Sequence, residues 1–227
     1  MPTPLNIAIL DDHQSIIDGY SFRLSQDKDI TIVATISYGE ELEPMLKEHS
    51  VDVLLLDISV PISAENKNIY PILYLIPKLI DHYPDMAILV ISMHSQPTLI
   101  KNIISSGASG YILKDDRQTI RELPSVVRAI ASGSIHFSRI ALEQLNRKIS
   151  PGDTLSPRQL EAISLCAAYP DKTTAELAKI LNVANSTMRN LLSGAYVRLK
   201  VPNRLAAISK ARQLGILAIE EPFSSNN

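Results

Sequence analysis

Five short apolar runs, each followed by an amphipathic stretch, restrict what the first 132 residues can fold into. The runs are rich in β-branched residues and lie at 6–10, 31–35, 51–56, 87–91 and 110–113. Apolar residues at helical spacing follow each run, near 13–25, 39–49, 69–82, 97–106 and 119–132. A strand and a helix repeated five times predict an α/β domain with a five-stranded parallel sheet covered by helices on both faces. In such sheets the functional site lies at the carboxyl ends of the strands.

The rest of the chain has a different organisation. Regularity lapses over residues 133–153, where we expect a linker with one short helix at 140–149, ended by Ser150-Pro-Gly-Asp153. Beyond it, Ser156-Pro-Arg-Gln159 and Thr173-Thr-Ala-Glu176 are typical of capped helix starts. Four helices without a strand are predicted near 156–168, 174–181, 186–199 and 204–214. The sequence thus predicts an α/β domain at 1–132, a linker at 133–153 and an all-α domain at 154–221.

The two halves of the chain differ in charge. The formal net charge is -2, but residues 1–150 carry 13 Lys and Arg against 18 Asp and Glu, a balance of -5. Residues 151–227 carry 9 against 6, a balance of +3. An acidic half joined to a mildly basic half is expected if only the second half meets phosphate backbones.

Cysteine usage and hydropathy indicate the compartment. The single Cys166 lies in an apolar helical pattern and is interpreted as a core thiol. The apolar run at 7–10 is too short for a signal peptide, and no run approaches the roughly 20 apolar residues of a membrane span. We therefore expect a cytoplasmic protein without a membrane partner.

Carboxylates crowd one edge of the predicted sheet. Asp11 and Asp12 follow the first strand and Asp57 ends the third. Two carboxylates about 4 Å apart repel by about 4 kcal/mol at an effective dielectric near 20, so the trio needs a proton, a cation or a metal. Mg²⁺ fits oxygen ligands of this kind best. Ser92 and Lys114, which follow the fourth and fifth strands, supply the hydroxyl and ammonium that a transferred phosphoryl group needs.

Four strings resemble the receiver domain of NarL/LuxR-type response regulators, in order and spacing: Ile9-Leu-Asp-Asp-His13, Leu56-Asp-Ile-Ser-Val-Pro61, Ile91-Ser-Met-His94 and Gly107-Ala-Ser-Gly-Tyr-Ile-Leu-Lys-Asp115. The resemblance implies a flavodoxin-like fold that receives a phosphoryl group from a sensor histidine kinase or a phosphotransfer protein. It implies these roles: phosphoacceptor Asp57, metal carboxylates Asp11, Asp12 and Asp57, a metal-ligating carbonyl at Ser59, switch hydroxyl Ser92, mobile aromatic Tyr111 and phosphoryl partner Lys114. His13 and His94 are interpreted as rim residues. Because Lys114 ends an edge strand, its replacement by alanine is expected to keep the fold.

The loop beside Asp57 departs from the family. After Pro61, a turn with glycine usually leads into the third helix, but residues 62–71 are longer and lack glycine. Two interpretations stay open: a tolerated surface insertion, or a loop that shields the acyl phosphate or touches a partner.

The second half resembles the four-helix LuxR-type DNA-binding domain, from Leu155 to Ala207. The resemblance implies a scaffold helix at 176–181 and a recognition helix that begins near Asn185 and enters the major groove. The implied DNA contacts are Ser186, Thr187, Arg189, Asn190, Arg198, Lys200 and Arg204. The helix departs from the usual pattern at Ala184, where family members carry a capping serine, so Asn185 is expected to take over the cap.

Three functional classes follow from these features. The favoured one is a response regulator, not an enzyme, in which phosphorylation of Asp57 controls homodimerisation and DNA binding. A Mg²⁺-dependent hydrolase with an aspartyl-phosphate intermediate would share the acidic edge, but Ser59 stands where its second aspartate would be. The third is an auxiliary regulator whose degenerate helix-turn-helix acts through another transcription factor.

Overall fold

The computed structural model describes residues 4–147 and 154–219. Its first part contains a parallel sheet in the strand order β2-β1-β3-β4-β5-β6. The strands are β1 Leu5–Leu10, β2 Ile30–Ile36, β3 Val53–Leu56, β4 Ala87–Ser92, β5 Gly110–Leu113 and β6 His136–Phe137. The five predicted strands are confirmed, but the expected count of five is wrong because the sheet has a sixth strand.

The sixth strand is too short to have a periodic signal. His136 and Phe137 pair in parallel with Gly110 and Tyr111 of β5. A Cβ atom at Gly110 would lie 2.5 Å from the carbonyl oxygen of His136, so the close approach of this strand depends on glycine. The extra strand therefore comes from a local feature of β5 and from the chain that follows the sheet.

Helices cover both faces of the sheet. They are α1 Gln14–Leu24, α2 Leu42–Glu48, α3 Ile72–His82, α4 Pro97–Ser105, α5 Arg117–Arg121 and α6 Leu123–Ala131, with a 3-10 turn at Gly39–Glu41. Strand side chains alternate between two apolar clusters, one on each face of the sheet. Ile7 and Ile9 are in the cluster with residues of α1 and α6, whereas Ala8 and Leu10 are in the cluster with residues of α2, α3 and α4. Each fully buried aliphatic side chain of this kind contributes about 1.5–3 kcal/mol, which explains why the central strands are apolar throughout.

The first part of the predicted linker belongs to the sheet. After β6, helix α7 Arg139–Leu145 packs against α4 and β5, and Lys101 Nζ donates to the carbonyl of Arg147 at 2.7 Å. The predicted helix at 140–149 is thus present over most of its length. Its last residues and the breaker at 150–153 lie outside the described residues.

The C-terminal part, over residues 154–219, holds four helices and no strand: α8 Pro157–Ala168, α9 Thr174–Ile180, α10 Asn185–Leu199 and α11 Arg204–Gln213. The capping boxes predicted at Ser156 and Thr173 are both formed. The cap expected from Asn185 is not: Ala184 is the N-cap of α10, and the buried Asn185 Oδ1 has no hydrogen-bond partner among the described residues. The start of α10 is therefore less firmly capped than that of α8 or α9.

The two domains pack on each other. Helix α3 lies against α8, and Tyr74 Oη donates a 2.6 Å hydrogen bond to the carbonyl of Ile180 at the end of α9. The loop at 62–71 takes part: Pro61 and Ile69 form an antiparallel bridge, and Ile69 lines the gap between the domains together with Ala167 of α8. The departure from the family pattern is thus a loop that contacts the second domain of its own chain.

Cys166 is fully buried in the C-terminal core, and burial raises the pKa of its thiol from 9.0 to about 11. The folded chain therefore holds this proton more tightly than the unfolded chain. The resulting stabilisation, about 2–3 kcal/mol, is complete below pH 9 and is lost as the pH rises towards 11. We expect the difference in free energy of unfolding between wild type and Cys166→Ala to change in this direction, with wild type losing stability relative to the variant as the pH rises from 9 to 11. Alkylation of the native thiol at pH 8 as fast as in urea would contradict this prediction.

No helix in residues 4–147 or 154–219 combines the length and the apolar character that a membrane span requires.

Candidate functional site

The carboxyl ends of the strands bring the predicted acidic residues together. Asp11 follows β1 and Asp57 follows β3, and both side chains are almost fully buried, with 2% of each residue exposed. Asp12 and His13 lie beside them at the rim, where His13 Nδ1 is 2.9 Å from Asp12 Oδ1. One ligand atom from each of these four residues lies within 4.8 Å of the others. The spacing in sequence therefore becomes one compact cluster.

Lys114 is the cation of this cluster. Its Nζ atom lies 2.9 Å from Asp11 Oδ2 and 2.8 Å from Asp57 Oδ2, and its side chain is only 6% exposed. Burial alone would lower the pKa of Lys114, but the two carboxylates raise it above its usual value. The pKa of Asp11 is raised by burial and by Asp57, against the opposing effect of Lys114. One ammonium thus only partly offsets the repulsion among the carboxylates.

The backbone after β3 orients Asp57. Its Oδ1 atom accepts a hydrogen bond from the Ile58 N–H at 2.7 Å, with the Ser59 N–H at 3.4 Å. Its own N–H donates to the carbonyl of Leu10 on β1 at 2.9 Å. The carboxylate is therefore held in one orientation, with Oδ2 toward Lys114.

His94 is a residue of the site that the sequence interpretation placed wrongly. It is 5% exposed rather than at the rim, and its Nε2 atom lies 2.9 Å from Ser59 Oγ. Its N–H donates to Ser92 Oγ at 3.2 Å, and its carbonyl accepts from Tyr111 Oη at 2.7 Å. His94 thus touches the predicted switch hydroxyl and the predicted mobile aromatic. The only signal for it in the sequence is its position two residues after Ser92.

The acidic cluster fits a metal ion. The cluster holds three carboxylates, of which two contact Lys114, and carboxylate oxygen atoms are the ligands that hard divalent cations prefer. Asp11, Asp12 and Asp57 are the side chains that would hold such an ion.

The predicted DNA contacts on α10 lie on its outer face. Six side chains are exposed while the two domains are packed together: Ser186, Thr187, Arg189, Asn190, Arg198 and Lys200. Two of the predicted contacts also bond within the chain: the exposed Arg198 donates to the carbonyl of Thr154 at 3.2 Å, and Arg204, which is less exposed, donates to the carbonyl of Lys172 at 2.7 Å and to Thr174 Oγ1 at 3.2 Å. The structure thus gives Arg204 a role in fixing the loop between α8 and α9.

The sheet and its acidic edge correspond to a known family. Residues 7–124, just over half of the chain, match the family described as the response regulator receiver domain. The chain is a response regulator. The match begins in β1 and ends at the start of α6, so it contains the whole acidic cluster and Lys114.

Relatives of the response regulator extend over both domains. It is 26% identical over 211 residues to the transcriptional regulatory protein DesR of Bacillus subtilis (strain 168), covering 93% of this chain and 98% of DesR. It is 30% identical over 185 residues to the oxygen regulatory protein NreC of Staphylococcus haemolyticus (strain JCSC1435), covering 76% of this chain and 82% of NreC. The response regulator is of the NarL/LuxR type.

Solved structures share the fold of both domains. RcsB from Salmonella enterica serovar Typhimurium, bound to promoter rprA in the presence of phosphomimetic BeF3-, has a TM-score of 0.62 and 24% identity, covering 92% of this chain and 98% of that chain. The predicted fold class, a flavodoxin-like domain followed by a helical domain, is confirmed apart from the number of strands.

Proposed function

We propose that Asp57 of this response regulator accepts a phosphoryl group from a sensor histidine kinase or a phosphotransfer protein. Phosphorylation then controls homodimerisation and the binding of DNA by the C-terminal domain. The observation that carries the proposal is the placement of Asp57, which is buried, oriented by backbone N–H groups and paired with Lys114 at 2.8 Å beside two further carboxylates.

The transfer needs little covalent chemistry from the protein. A carboxylate oxygen of Asp57 forms the new bond to phosphorus while the phosphorus–nitrogen bond of the donor histidine breaks and the histidine keeps the electron pair. Lys114 and the hydroxyl of Ser92 are the groups that would stabilise the charge on the phosphoryl oxygens. Asp11, Asp12, Asp57 and the carbonyl of Ser59 would hold Mg²⁺, which supplies further neutralisation of that charge.

A hydrolase of the aspartyl-phosphate class is not supported. Such an enzyme needs a proton donor for the leaving group, and the position two residues after Asp57 holds Ser59, whose hydroxyl is engaged with His94. The proposed chain therefore accepts a phosphoryl group and does not turn over phosphoesters.

The proposal that the C-terminal domain binds DNA draws on its fold and its exposed face. RcsB, whose fold it shares, has been solved bound to promoter DNA. The exposed polar face of α10 carries Arg189 in its first turns, where a recognition helix meets base edges, with Arg198 and Lys200 near its end. We further propose that the receiver domain spans 1–132, the linker 133–153 and the DNA-binding domain 154–221.

The function is tested on the full chain with acetyl phosphate and Mg²⁺. We expect a mass increase of one phosphoryl group, a shift from monomer to dimer in light scattering, and tighter binding to DNA selected from a random pool. Labelling without any DNA binding, followed by recovery of binding when a second transcription factor is added, would favour the auxiliary regulator instead.

Arg189→Ala separates base reading from backbone contact. Arg189 is the long donor on the exposed early turns of α10, so its loss should cost about 1–3 kcal/mol on a selected site and much less on random DNA. Lys200→Ala is the matched control, because an exposed lysine near the helix end should weaken both complexes alike. Fluorescence anisotropy at one fixed salt concentration measures both losses. Equal losses for Arg189→Ala on the two DNAs would show that it binds phosphate.

A further inference from the structure

His13 brings a nitrogen atom to the acidic cluster. The residue directly follows Asp11 and Asp12 and is the N-cap of α1, where its N–H donates to Asp11 Oδ1 at 3.0 Å. Its ring lies against the carboxylates, so that Nδ1 is 2.9 Å from Asp12 Oδ1 and 3.5 Å from Asp11 Oδ1. Two carboxylate oxygens and one imidazole nitrogen therefore lie together at the end of β1.

The contact between His13 and Asp12 is not an ordinary hydrogen-bonded ion pair. Nδ1 of His13 and Oδ1 of Asp12 are both buried atoms without a hydrogen-bond partner among the described residues, although they lie only 2.9 Å apart. A hydrogen bond between them would need the ring N–H to point at the oxygen, which it does not. Buried polar atoms seldom lack a partner, and a bound ion is one of the groups that can supply it.

A divalent metal ion fits this arrangement better than a shared proton. In an octahedral complex with ligands about 2.1 Å from the ion, neighbouring ligand atoms lie about 3 Å apart, and their lone pairs point at the ion and not at each other. The 2.9 Å between Nδ1 and Asp12 Oδ1 matches such a pair of neighbours. One ligand atom from each of Asp11, Asp12, His13 and Asp57 lies within 4.8 Å of the others, so all four residues offer a ligand to one place.

We propose that His13 Nδ1 is a metal ligand and that it makes the site select a divalent first-row transition ion over Mg²⁺. The inference rests on the metal site of the proposed function and concerns the identity of the ion. Mg²⁺ prefers oxygen ligands and still binds through them, whereas imidazole nitrogen suits transition ions. Affinity for a given site rises from Mn²⁺ to Ni²⁺, so a preference for Mn²⁺ over Mg²⁺ is the most demanding test of the class.

The first test compares two variants of the full chain, each lacking one histidine. His13→Asn replaces the ring by an amide, which keeps an oxygen for Mg²⁺ and is well tolerated at an N-cap. His49→Asn is the matched control, because His49 is exposed at the end of α2, beside the amino end of β3. Mn²⁺ binding is followed by the EPR signal of the free ion, with Mg²⁺ as competitor and no phosphoryl donor. We expect His13→Asn to weaken Mn²⁺ binding about tenfold or more and Mg²⁺ binding less than about threefold, and His49→Asn to change neither.

The second test detects the ligand directly by pulsed EPR of the bound Mn²⁺. Wild type and His49→Asn should show the nitrogen coupling of a bound imidazole, and His13→Asn should lack it. Isotopic labelling of histidine nitrogen in the wild-type chain should change that coupling, which identifies its source without any substitution. A merely structural role for His13 would alter the affinity for both ions alike and would give no nitrogen coupling in wild type.

The outcomes separate this inference from the proposed function. Mn²⁺ bound to wild type without nitrogen coupling, or an equal preference for Mn²⁺ over Mg²⁺ in wild type and His13→Asn, would overturn the role of His13 alone. Failure of wild type to bind either ion would overturn the metal site and the inference with it. Metal binding with the expected nitrogen coupling, but without labelling by acetyl phosphate, would overturn the role of Asp57 as phosphoacceptor and support the inference. If His13→Asn fails to fold, the labelled wild-type chain still decides.

Discussion

Asp57→Asn is expected to abolish phosphorylation by acetyl phosphate under conditions in which the wild-type chain takes up one phosphoryl group. The amide nitrogen and oxygen of asparagine are poor nucleophiles, and the substitution removes the negative charge that pairs with Lys114 at 2.8 Å. Asp11 accepts the His13 N–H at 3.0 Å through Oδ1, against two N–H groups near Asp57 Oδ1, and Asp12 lies at the rim with its carboxylate against His13. Intact-mass spectrometry measures the label.

A matched control lies at the opposite end of the same strand. Asp52 precedes β3, and its Oδ2 atom accepts a hydrogen bond from the Asn6 N–H at 2.7 Å, which an asparagine oxygen can also accept. Asp52→Asn should therefore be labelled at the wild-type rate. Labelling of Asp57→Asn at that same rate would show that another carboxylate accepts the phosphoryl group.

The sheet was predictable because its central strands are buried on both faces. β3 is apolar throughout and β4 is apolar up to its last residue, Ser92, which is the pattern of buried parallel strands. Strand β6 was missed since two residues carry no period and its pairing depends on Gly110. Local pattern therefore determines the central strands, whereas tertiary contact determines the last one.

The acidic cluster was predictable for a related reason. Carboxyl ends of parallel strands meet at one edge, so residues that follow strands in the sequence come together in space. The contacts of His94 were not predictable in this way, because Ser59 and Tyr111 reach it from other strands of the sheet. The bond from Arg204 to the carbonyl of Lys172 was not predictable either, because it joins the start of α11 to a loop 32 residues earlier in the chain.

Lys114→Met is expected to destabilise the fold, although its position in the sequence suggested that Lys114 could be replaced. As the end of an edge strand it should tolerate replacement, but β6 lies beyond β5 and the side chain is 6% exposed between two carboxylates. Lys114→Met keeps the apolar stem and removes the charge, which leaves Asp11 and Asp57 without their cation. Breaking a buried ion pair in this way costs about 3–5 kcal/mol. We therefore expect the free energy of unfolding, measured with urea at pH 7.5 without metal, to fall by that amount. The control is Lys47→Met on the exposed face of α2, which should change the free energy of unfolding by no more than about 0.5 kcal/mol.

The stability deficit of Lys114→Met is the difference between its free energy of unfolding and that of wild type. Its origin can be tested with pH and with metal. Burial and Asp57 already raise the pKa of Asp11, and loss of Lys114 removes the group that opposes them. A carboxylate whose pKa is raised on folding favours the folded state at low pH and disfavours it as the pH rises through the folded value. The deficit of the variant should therefore shrink as the pH falls from 7.5 towards 4. Millimolar Mg²⁺ at pH 7.5 should also shrink it, since an ion that binds only the folded chain stabilises it in proportion to the logarithm of its concentration. A deficit that is independent of both pH and Mg²⁺ would mean that Lys114 contributes through packing of its stem, not through its charge.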